Sequence, residues 1–352
     1  MAKEQEVDTR EFPIELKLAD GIKSWLYSQL FVTPKAPKHS FAGQTIIVTG
    51  GNSGLGLEAA RYYYKLGGAK LILAVRSLSK GEAAKEDIVK SVRTRSDGAA
   101  AIEVWDLDVC STPSVLAFAE RIKSLERVDV LLCNAGVNYK TLELDEGIER
   151  SMQVNVLNTL LLPLASMNKL RETKAKFPDS SPHITITSSD AYRLTKYNEI
   201  NSPNIYEAFN SKETFNGQAR YQDSKLIQLL CNREMVKRMS KNKPDAPHVT
   251  FNLVSPGLCV SNIDRKDGNW PLKTRILHKI LYRTTEVGAR TLVHGTFAGP
   301  QTHGAYLVDC KVPPLEPWVV SDLGARVQLK TYEQTMAILE KRKPGLSAEV
   351  GL

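Results

Sequence analysis

The feature that most constrains this chain is an alternation. Seven short apolar runs, TIIVTG (45–50), KLILAV (70–75), IEVWDLDV (102–109), VDVLLCNAG (128–136), HITITSS (183–189), HVTFNLVSPG (248–257) and GAYLVDC (304–310), recur along its length. Between them, Leu55–Leu66, Ser79–Arg95, Thr112–Leu125, Asp145–Thr173, Gln218–Met239 and Thr285–Phe297 carry apolar residues at helical spacing. Runs that are apolar throughout suit strands covered on both faces, and helices with one apolar stripe supply the cover. Because crossovers between parallel strands are right-handed, the pattern predicts an α/β chain with a doubly wound parallel sheet. At roughly 150 residues per domain, 352 residues leave room for two domains. The unbroken alternation predicts one, over about residues 43–312.

This is a Rossmann-type, seven-stranded parallel sheet with an N-terminal helical extension (1–42) and a C-terminal helical tail (313–352). In the extension, Ile14, Leu18, Ile22, Trp25, Leu26 and Leu30 recur at helical spacing ahead of the proline-containing stretch Thr33–Ser40. They predict an amphipathic helix that packs on the domain or, through residues 14–31, contacts a membrane surface peripherally. The tail contains one predicted helix, Val319–Arg342. Two connections, 190–220 and 258–284, are polar and long enough to be substrate-region insertions.

Composition narrows the class of partner. The charge of +8, from 47 Lys and Arg against 39 Asp and Glu, is spread in modest clusters and is not interleaved with aromatics, so no nucleic-acid partner is expected. No run reaches the roughly 18 residues of a spanning helix, and the charged N-terminus does not read as a secretory signal. Cys110, Cys133, Cys231, Cys259 and Cys310 are odd in number and form no CxxC pair, which points to a reducing, cytoplasmic setting. The six histidines lack metal-ligand spacing, and no metal is expected.

The chemistry is concentrated just after the apolar runs. Thr49-Gly50-Gly51-Asn52-Ser53-Gly54-Leu55-Gly56 follows the first run and opens a helical stretch. Glycines there tolerate unusual dihedrals and let the backbone approach a pyrophosphate on the helix N-terminus, where free N–H groups and the dipole favour negative charge. Farther on, Tyr221 and Lys225 are four residues apart, on one face of a predicted helix. A nearby ammonium favours phenolate, and moving a tyrosine from about 10 towards neutrality takes on the order of 4 kcal/mol.

The TGxxxGxG spacing and the YxxxK pair resemble the short-chain dehydrogenase/reductase family. Four further motifs stand in the same order: Asp108-Val109, Asn134-Ala135-Gly136, Ser189 at the end of the fifth strand and Pro256-Gly257 at the end of the sixth. Asn155 falls in the helix after the fourth strand. The resemblance covers about residues 43–312. It implies a catalytic set of Ser189, Tyr221, Lys225 and Asn155. Tyr221 would exchange a proton with the carbonyl oxygen, Ser189 would orient that oxygen, Lys225 would hold the nicotinamide ribose, and Asn155 would fix a water linked to Lys225. Cofactor contacts are implied for Thr49, Gly50, Asn52, Ser53, Gly54, Leu55 and Gly56 in the first turn, and for Asp108 and Val109 at the adenine. Asn134, Ala135, Gly136, Tyr221, Lys225, Pro256 and Gly257 complete the set. Ser188 competes with Ser189; strand alternation points the two to opposite faces, and the family pattern favours Ser189.

Where an NAD-selective site would carry an acidic residue at the end of the second strand, Leu73-Ala74-Val75-Arg76-Ser77 offers Arg76, able to pair a 2′-phosphate. The expected cofactor is NADP(H), with Ser77 and Asn52 as helpers. Leu258, Cys259, Ser261, Asn262, Trp270, Leu277 and Tyr282 suggest either an apolar or aromatic substrate or packing under the loop or at a subunit interface. The chain most resembles fungal members of the retinol-dehydrogenase-like branch, often found in secondary metabolism. Together these features imply an NADPH-dependent carbonyl reductase or alcohol dehydrogenase acting on a lipophilic ketone, aldehyde or alcohol. A cofactor-binding regulator and a dehydratase, isomerase or cyclase on the same fold are the alternatives. The resemblance also implies a homodimer through the helices before the fifth strand and carrying Tyr221, unless the extensions block it.

Overall fold

A computed structural model describes residues 10–16, 18–95, 98–260 and 281–352. Seven strands form one parallel sheet: β1 (Thr45–Thr49), β2 (Lys70–Val75), β3 (Ile102–Asp106), β4 (Val130–Cys133), β7 (His183–Thr187), β8 (Thr250–Ser255) and β9 (Tyr306–Val308). A two-stranded antiparallel hairpin, β5 (Leu144–Asp145) and β6 (Ile148–Glu149), stands apart. The sheet order is β3-β2-β1-β4-β7-β8-β9, so the winding reverses between β1 and β4. A crevice opens there at the carboxyl ends of the strands, the usual ligand position in such sheets.

Strand alternation assigns the two cores. Ile46, Val48, Leu71 and Leu73 point to the face covered by α2 (Gly54–Lys65), α3 (Leu78–Ser91) and α8 (Thr285–Gly295). Ile47, Ile72, Leu131, Ile184 and Phe251 point to the face covered by α4 (Thr112–Lys123), α5 (Thr159–Lys176) and α7 (Gly217–Asn242). Ser77, Ser111, Asn216 and Thr284 accept backbone N–H bonds at the starts of α3, α4, α7 and α8.

All seven expected strands are present, each ending at or before the motif that follows it. Asp108-Val109, Asn134-Ala135-Gly136, Ser188-Ser189 and Pro256-Gly257 lie beyond the last ladder pair. Once out of the ladder, these residues are free to turn into the crevice. The expected helix over 145–173 is a correction. The backbone instead reverses at Glu146 and Gly147, both with positive φ, to make the β5–β6 hairpin. A π-helical stretch, Met152–Asn158, then precedes α5.

The extension and the tail belong to the same packed body. The helix of the extension, α1, runs Leu18–Phe31, while Phe12 and Ile14 precede it in a non-helical segment and are buried in the main core. The 190–220 connection is more packed than its polarity suggests. It contributes α6 (Ile205–Phe209) and buried Tyr192, Tyr197 and Tyr206. Tyr197 and Tyr206 bond to Thr331 and Thr335 of α9 (Asp322–Arg342) at 3.1 and 2.9 Å. The tail's α9 lies on α7, where Gln328 accepts from Arg233 at 3.0 Å and donates to Glu234 at 2.9 Å. Its last helix, α10 (Leu346–Val350), lies on α5, with Arg171 donating to the Val350 carbonyl at 3.0 Å. The tail therefore covers parts of both helices through which a homodimer was expected. Of the expected substrate-loop residues, Ser261, Asn262, Trp270 and Leu277 lie outside the described residues.

Candidate active site

The turn from β1 into α2 is built by close approaches that only glycine permits. Gly50 has φ +67° and Gly54 φ +55°, conformations that L side chains rarely adopt. At Gly56 a Cβ would stand 2.4 Å from the Gly50 carbonyl oxygen and 2.5 Å from Asn134 Nδ2, so α2 can lie against β1 and β4 only as glycine. Gly54, by contrast, has open space around its Cβ position.

Thr49 and Asn134 join the two strands that flank the reversal. Asn134 and Ala135 each donate a backbone N–H to Thr49 Oγ1 at 2.9 Å, and Asn134 Nδ2 donates to the Thr49 carbonyl at 3.0 Å. Thr49 is buried and, like Gly56 and Asn155, does not line the crevice; all three shape it from behind. The other expected residues do line it. Gly50, Asn52, Ser53, Gly54, Leu55 and Arg76 do so from β1 and β2, Asp108 and Val109 from beyond β3, and Asn134, Ala135 and Gly136 from beyond β4. Ser189, Tyr221, Lys225, Pro256 and Gly257 complete the lining, together with Ser77, Ser188, Leu258, Cys259 and Tyr282. The cavity measures about 1200 Å³, somewhat more than the roughly 300–1,000 Å³ of a single small-ligand site and roomy enough for a cofactor with a substrate beside it.

Lys225 is buried and donates to the Thr187 carbonyl at 3.0 Å; its ammonium lies 5.5 Å from the centre of the Tyr221 ring. Burial pushes its pKa down to about 7. Ser189 Oγ accepts from the Ala191 N–H at 3.2 Å, which holds the hydroxyl at the start of a 3₁₀ turn, Asp190–Leu194. Ser188, the competing serine, has a buried hydroxyl without a partner among the described residues, although its chain also borders the cavity.

Asn155 is linked to Lys225 through Gln228. Its Oδ1 accepts from the Val137 N–H at 2.9 Å, while its Nδ2 donates to the Val137 carbonyl at 2.9 Å and to Ser224 Oγ at 3.0 Å. Its backbone carbonyl accepts from Gln228 Nε2 at 2.6 Å, and Gln228 Oε1 accepts from Lys225 Nζ at 3.4 Å. A side-chain amide thus spans the gap. The signal for Gln228 was a polar residue one turn after Lys225 on the face that Tyr221 and Lys225 share. Arg342 of α9 donates to Gln153 at 2.7 Å and Asn158 at 3.2 Å, so the tail braces the π-helical stretch that carries Asn155.

The family profile described as short chain dehydrogenase matches residues 44–191. Over 332 residues the chain is 39% identical to the short chain dehydrogenase/reductase dmxR8 of Cryptosporiopsis sp., spanning 92% of this chain and 99% of that protein. It is 40% identical over 301 residues to the short chain dehydrogenase atnD of Emericella nidulans, covering 83% of this chain and 93% of that one. The chain is a short-chain dehydrogenase/reductase.

The fold agrees with that of solved structures. The Pseudomonas aeruginosa RhlG/NADP active-site complex superposes with a TM-score of 0.57 at 20% identity, covering 78% of this chain and 97% of that one. The short chain dehydrogenase from Shigella flexneri gives 0.55 at 18% identity, covering 80% and 98%. Membership makes this short-chain dehydrogenase/reductase an oxidoreductase of the CH–OH and C=O pair that uses a nicotinamide cofactor. The crevice suits such a group, because the glycine turn leaves the start of α2 open and Arg76 and Lys80 supply positive charge at the β2 end.

Lys225 couples the site to pH. Below pH 7 it is charged in both the folded and unfolded chain, so the folded state carries the full burial penalty. As pH rises from about 7 to the ordinary lysine value of 10.5, the folded lysine is neutral while the unfolded one stays charged, and the penalty fades. Lys225→Met is therefore expected to stabilise the cofactor-free protein most at pH 6 and progressively less towards pH 10. Urea unfolding across that range checks it, and an equal gain at every pH would refute the burial account.

Proposed function

We propose that this protein is an NADPH-dependent carbonyl reductase or alcohol dehydrogenase acting on a lipophilic ketone, aldehyde or alcohol. The observation that carries this reading is the convergence of Tyr221, Lys225 and Ser189 on one crevice whose β2 end presents Arg76. Residues 43–312 would form the catalytic unit, with 1–42 and 313–352 as additions to it.

Bound nicotinamide would supply or accept the hydride. Tyr221 gives its phenolic proton to the carbonyl oxygen as the alcohol forms, and takes it back in oxidation. Ser189 holds that oxygen by a hydrogen bond. Lys225 shares the Tyr221 face of α7, and its charge favours the phenolate left after transfer. An anionic cofactor beside Lys225 opposes the burial effect and favours the charged ammonium. Gln228 keeps Lys225 in line with the Asn155 carbonyl. Gly50, Asn52, Ser53, Gly54 and Leu55 receive the pyrophosphate, with Asp108 and Val109 at the adenine and Asn134, Ala135, Gly136, Pro256 and Gly257 along the nicotinamide half. Thr49 and Gly56 act by holding this frame.

Arg76 favours NADPH because a guanidinium can pair the 2′-phosphate in a bidentate manner. The NADP complex of the Pseudomonas aeruginosa protein, a structural relative, is in keeping with that choice. The fungal relatives support a place in secondary metabolism by analogy. Five free thiols support a cytoplasmic setting. The outer face of α1 exposes Tyr27, Leu30 and Phe31, the last at 73%, which supports peripheral membrane contact through residues 14–31. The tail's cover of α5 and α7 favours a monomer over the homodimer.

The deciding experiment follows NADPH absorbance with a panel of ketones and aldehydes. Tyr221→Phe is expected to lower kcat by about 10²–10⁴-fold with cofactor affinity retained; undiminished turnover would reject the proton-donor role, and cofactor binding without turnover by the wild type would favour a non-redox protein. Arg76→Glu should reduce the preference for NADPH over NADH by about tenfold or more, and unchanged selectivity would remove the 2′-phosphate role. Sedimentation with and without anionic vesicles addresses the rest: a monomer that pellets with vesicles is expected, and a dimer or an absence of vesicle binding would overturn the corresponding reading.

A further inference from the structure

The N-terminal helix does not lie loosely on the domain. Gln29 is buried and uses both ends of its amide on one residue of the loop after Pro256-Gly257. Its Nε2 donates to the Leu258 carbonyl at 2.8 Å, and its Oε1 accepts from the Leu258 N–H at 3.1 Å. A side chain thereby satisfies a backbone residue as a neighbouring strand would. Arg283, also buried, ties the same elements together. It donates to the carbonyls of Ser28 at 2.8 Å, Val32 at 3.0 Å and Pro256 at 3.3 Å, and pairs with Asp309 at 2.7 Å. Buried polar groups with this many partners are costly to separate, because each would be left unsatisfied.

Nearer its start, α1 passes beside the turn that follows β7. Gly21 lies against the ion pair between Arg193 and Glu316, close enough that a Cβ there would stand 3.4 Å from Glu316 Oε1 and 3.9 Å from Arg193 Cδ. Tied to the loop after β8 through Gln29 and Arg283, α1 turns Gly21, Ile22 and Trp25 towards the cavity. They border its β7–β8 side, together with Leu194, Leu258 and Tyr282, away from Arg76 at the β2 end. The charge there is already compensated. Arg193 faces the carboxylates of Asp190, at 3.5 Å, and Glu316. One cation against two anions leaves no attraction for an acidic ligand.

Resting on the reading of this cavity as the site of a carbonyl reductase, we propose that α1 is a fixed wall of its substrate end, with Trp25 as the specificity-determining residue. The substrate class is a neutral, largely apolar ring ketone or its alcohol. An indole presents a broad rigid surface against which a ring system can stack, whereas a short aliphatic carbonyl compound would not reach it.

The test is equilibrium binding to the protein saturated with NADP⁺, read by calorimetry, with three probes: 2-acetonaphthone, cyclohexanone and 6-acetyl-2-naphthoic acid. Trp25→Ala is expected to weaken 2-acetonaphthone about tenfold or more while changing cyclohexanone less than about twofold, and Trp25→Phe to recover most of the loss. The naphthoic acid is expected to bind wild type at least about tenfold more weakly than the neutral ketone. An equal effect of Trp25→Ala on both ketones, or none on either, overturns the assignment of Trp25, and equal binding of the acid overturns the neutral class. NADP⁺ affinity of the variants reports whether the fold is intact. Because binding is read without turnover, a protein that binds the ketones as expected yet never oxidises NADPH would reject the reductase reading and leave the wall in place.

Discussion

The hydroxyl and carbonyl of Thr49 hold together the two strands between which the sheet changes direction. Strands β1 and β4 pair through only three residues, Ile46 to Val48 against Val130 to Leu132, and beyond them the backbone must part to make a crevice. Parting exposes N–H groups that need acceptors in a low-dielectric rim. Thr49 Oγ1 takes two of them, from Asn134 and Ala135, so the crevice opens without leaving either unsatisfied. Asn134 then sets the distance to α2, because Gly56 packs against its amide. The glycine turn between β1 and α2 depends on this clasp although Thr49 does not line the cavity.

A second constraint comes from burying a lysine in the wall of the cavity. Burial of Lys225 costs folding energy, and part of that cost is offset by the Thr187 carbonyl and by Gln228, which passes the contact to Asn155. The π-helical stretch Met152–Asn158 has a related role. The Asn155 carbonyl that accepts from Gln228 lies within it, and such stretches are frequent at functional sites. Arg342 supports that stretch from the tail, so residues at the far end of the chain stabilise the neighbourhood of Lys225.

Much of this was legible in the chain itself. Alternation located all seven strands, because apolar runs covered on both faces differ from amphipathic helices in period. The motif residues were recognisable because each stands directly after a strand, where the backbone leaves the ladder. Asp145-Glu146-Gly147 misled the helix reading, since its glycine permitted a hairpin that periodicity alone does not register. Gln228 was hidden for another reason. A glutamine on a helix is ordinary until the fold places the Asn155 carbonyl, 73 residues away, within 2.6 Å of it.

The sequence by itself determined the α/β architecture, the glycine turn, the Tyr221–Lys225 pair and the arginine at the end of β2. These are local properties: period, backbone freedom and spacing along one helix. Only the tertiary structure decided that Thr49 and Gly56 lie behind the cavity lining, that α1 borders the cavity, and that α9 and α10 cover α5 and α7. Those outcomes rest on pairs such as Gln29 with Leu258, 229 residues apart, and Arg193 with Glu316, 123 apart. No local pattern announces such contacts, because their free energy exists only once the intervening chain has folded and excluded water from them.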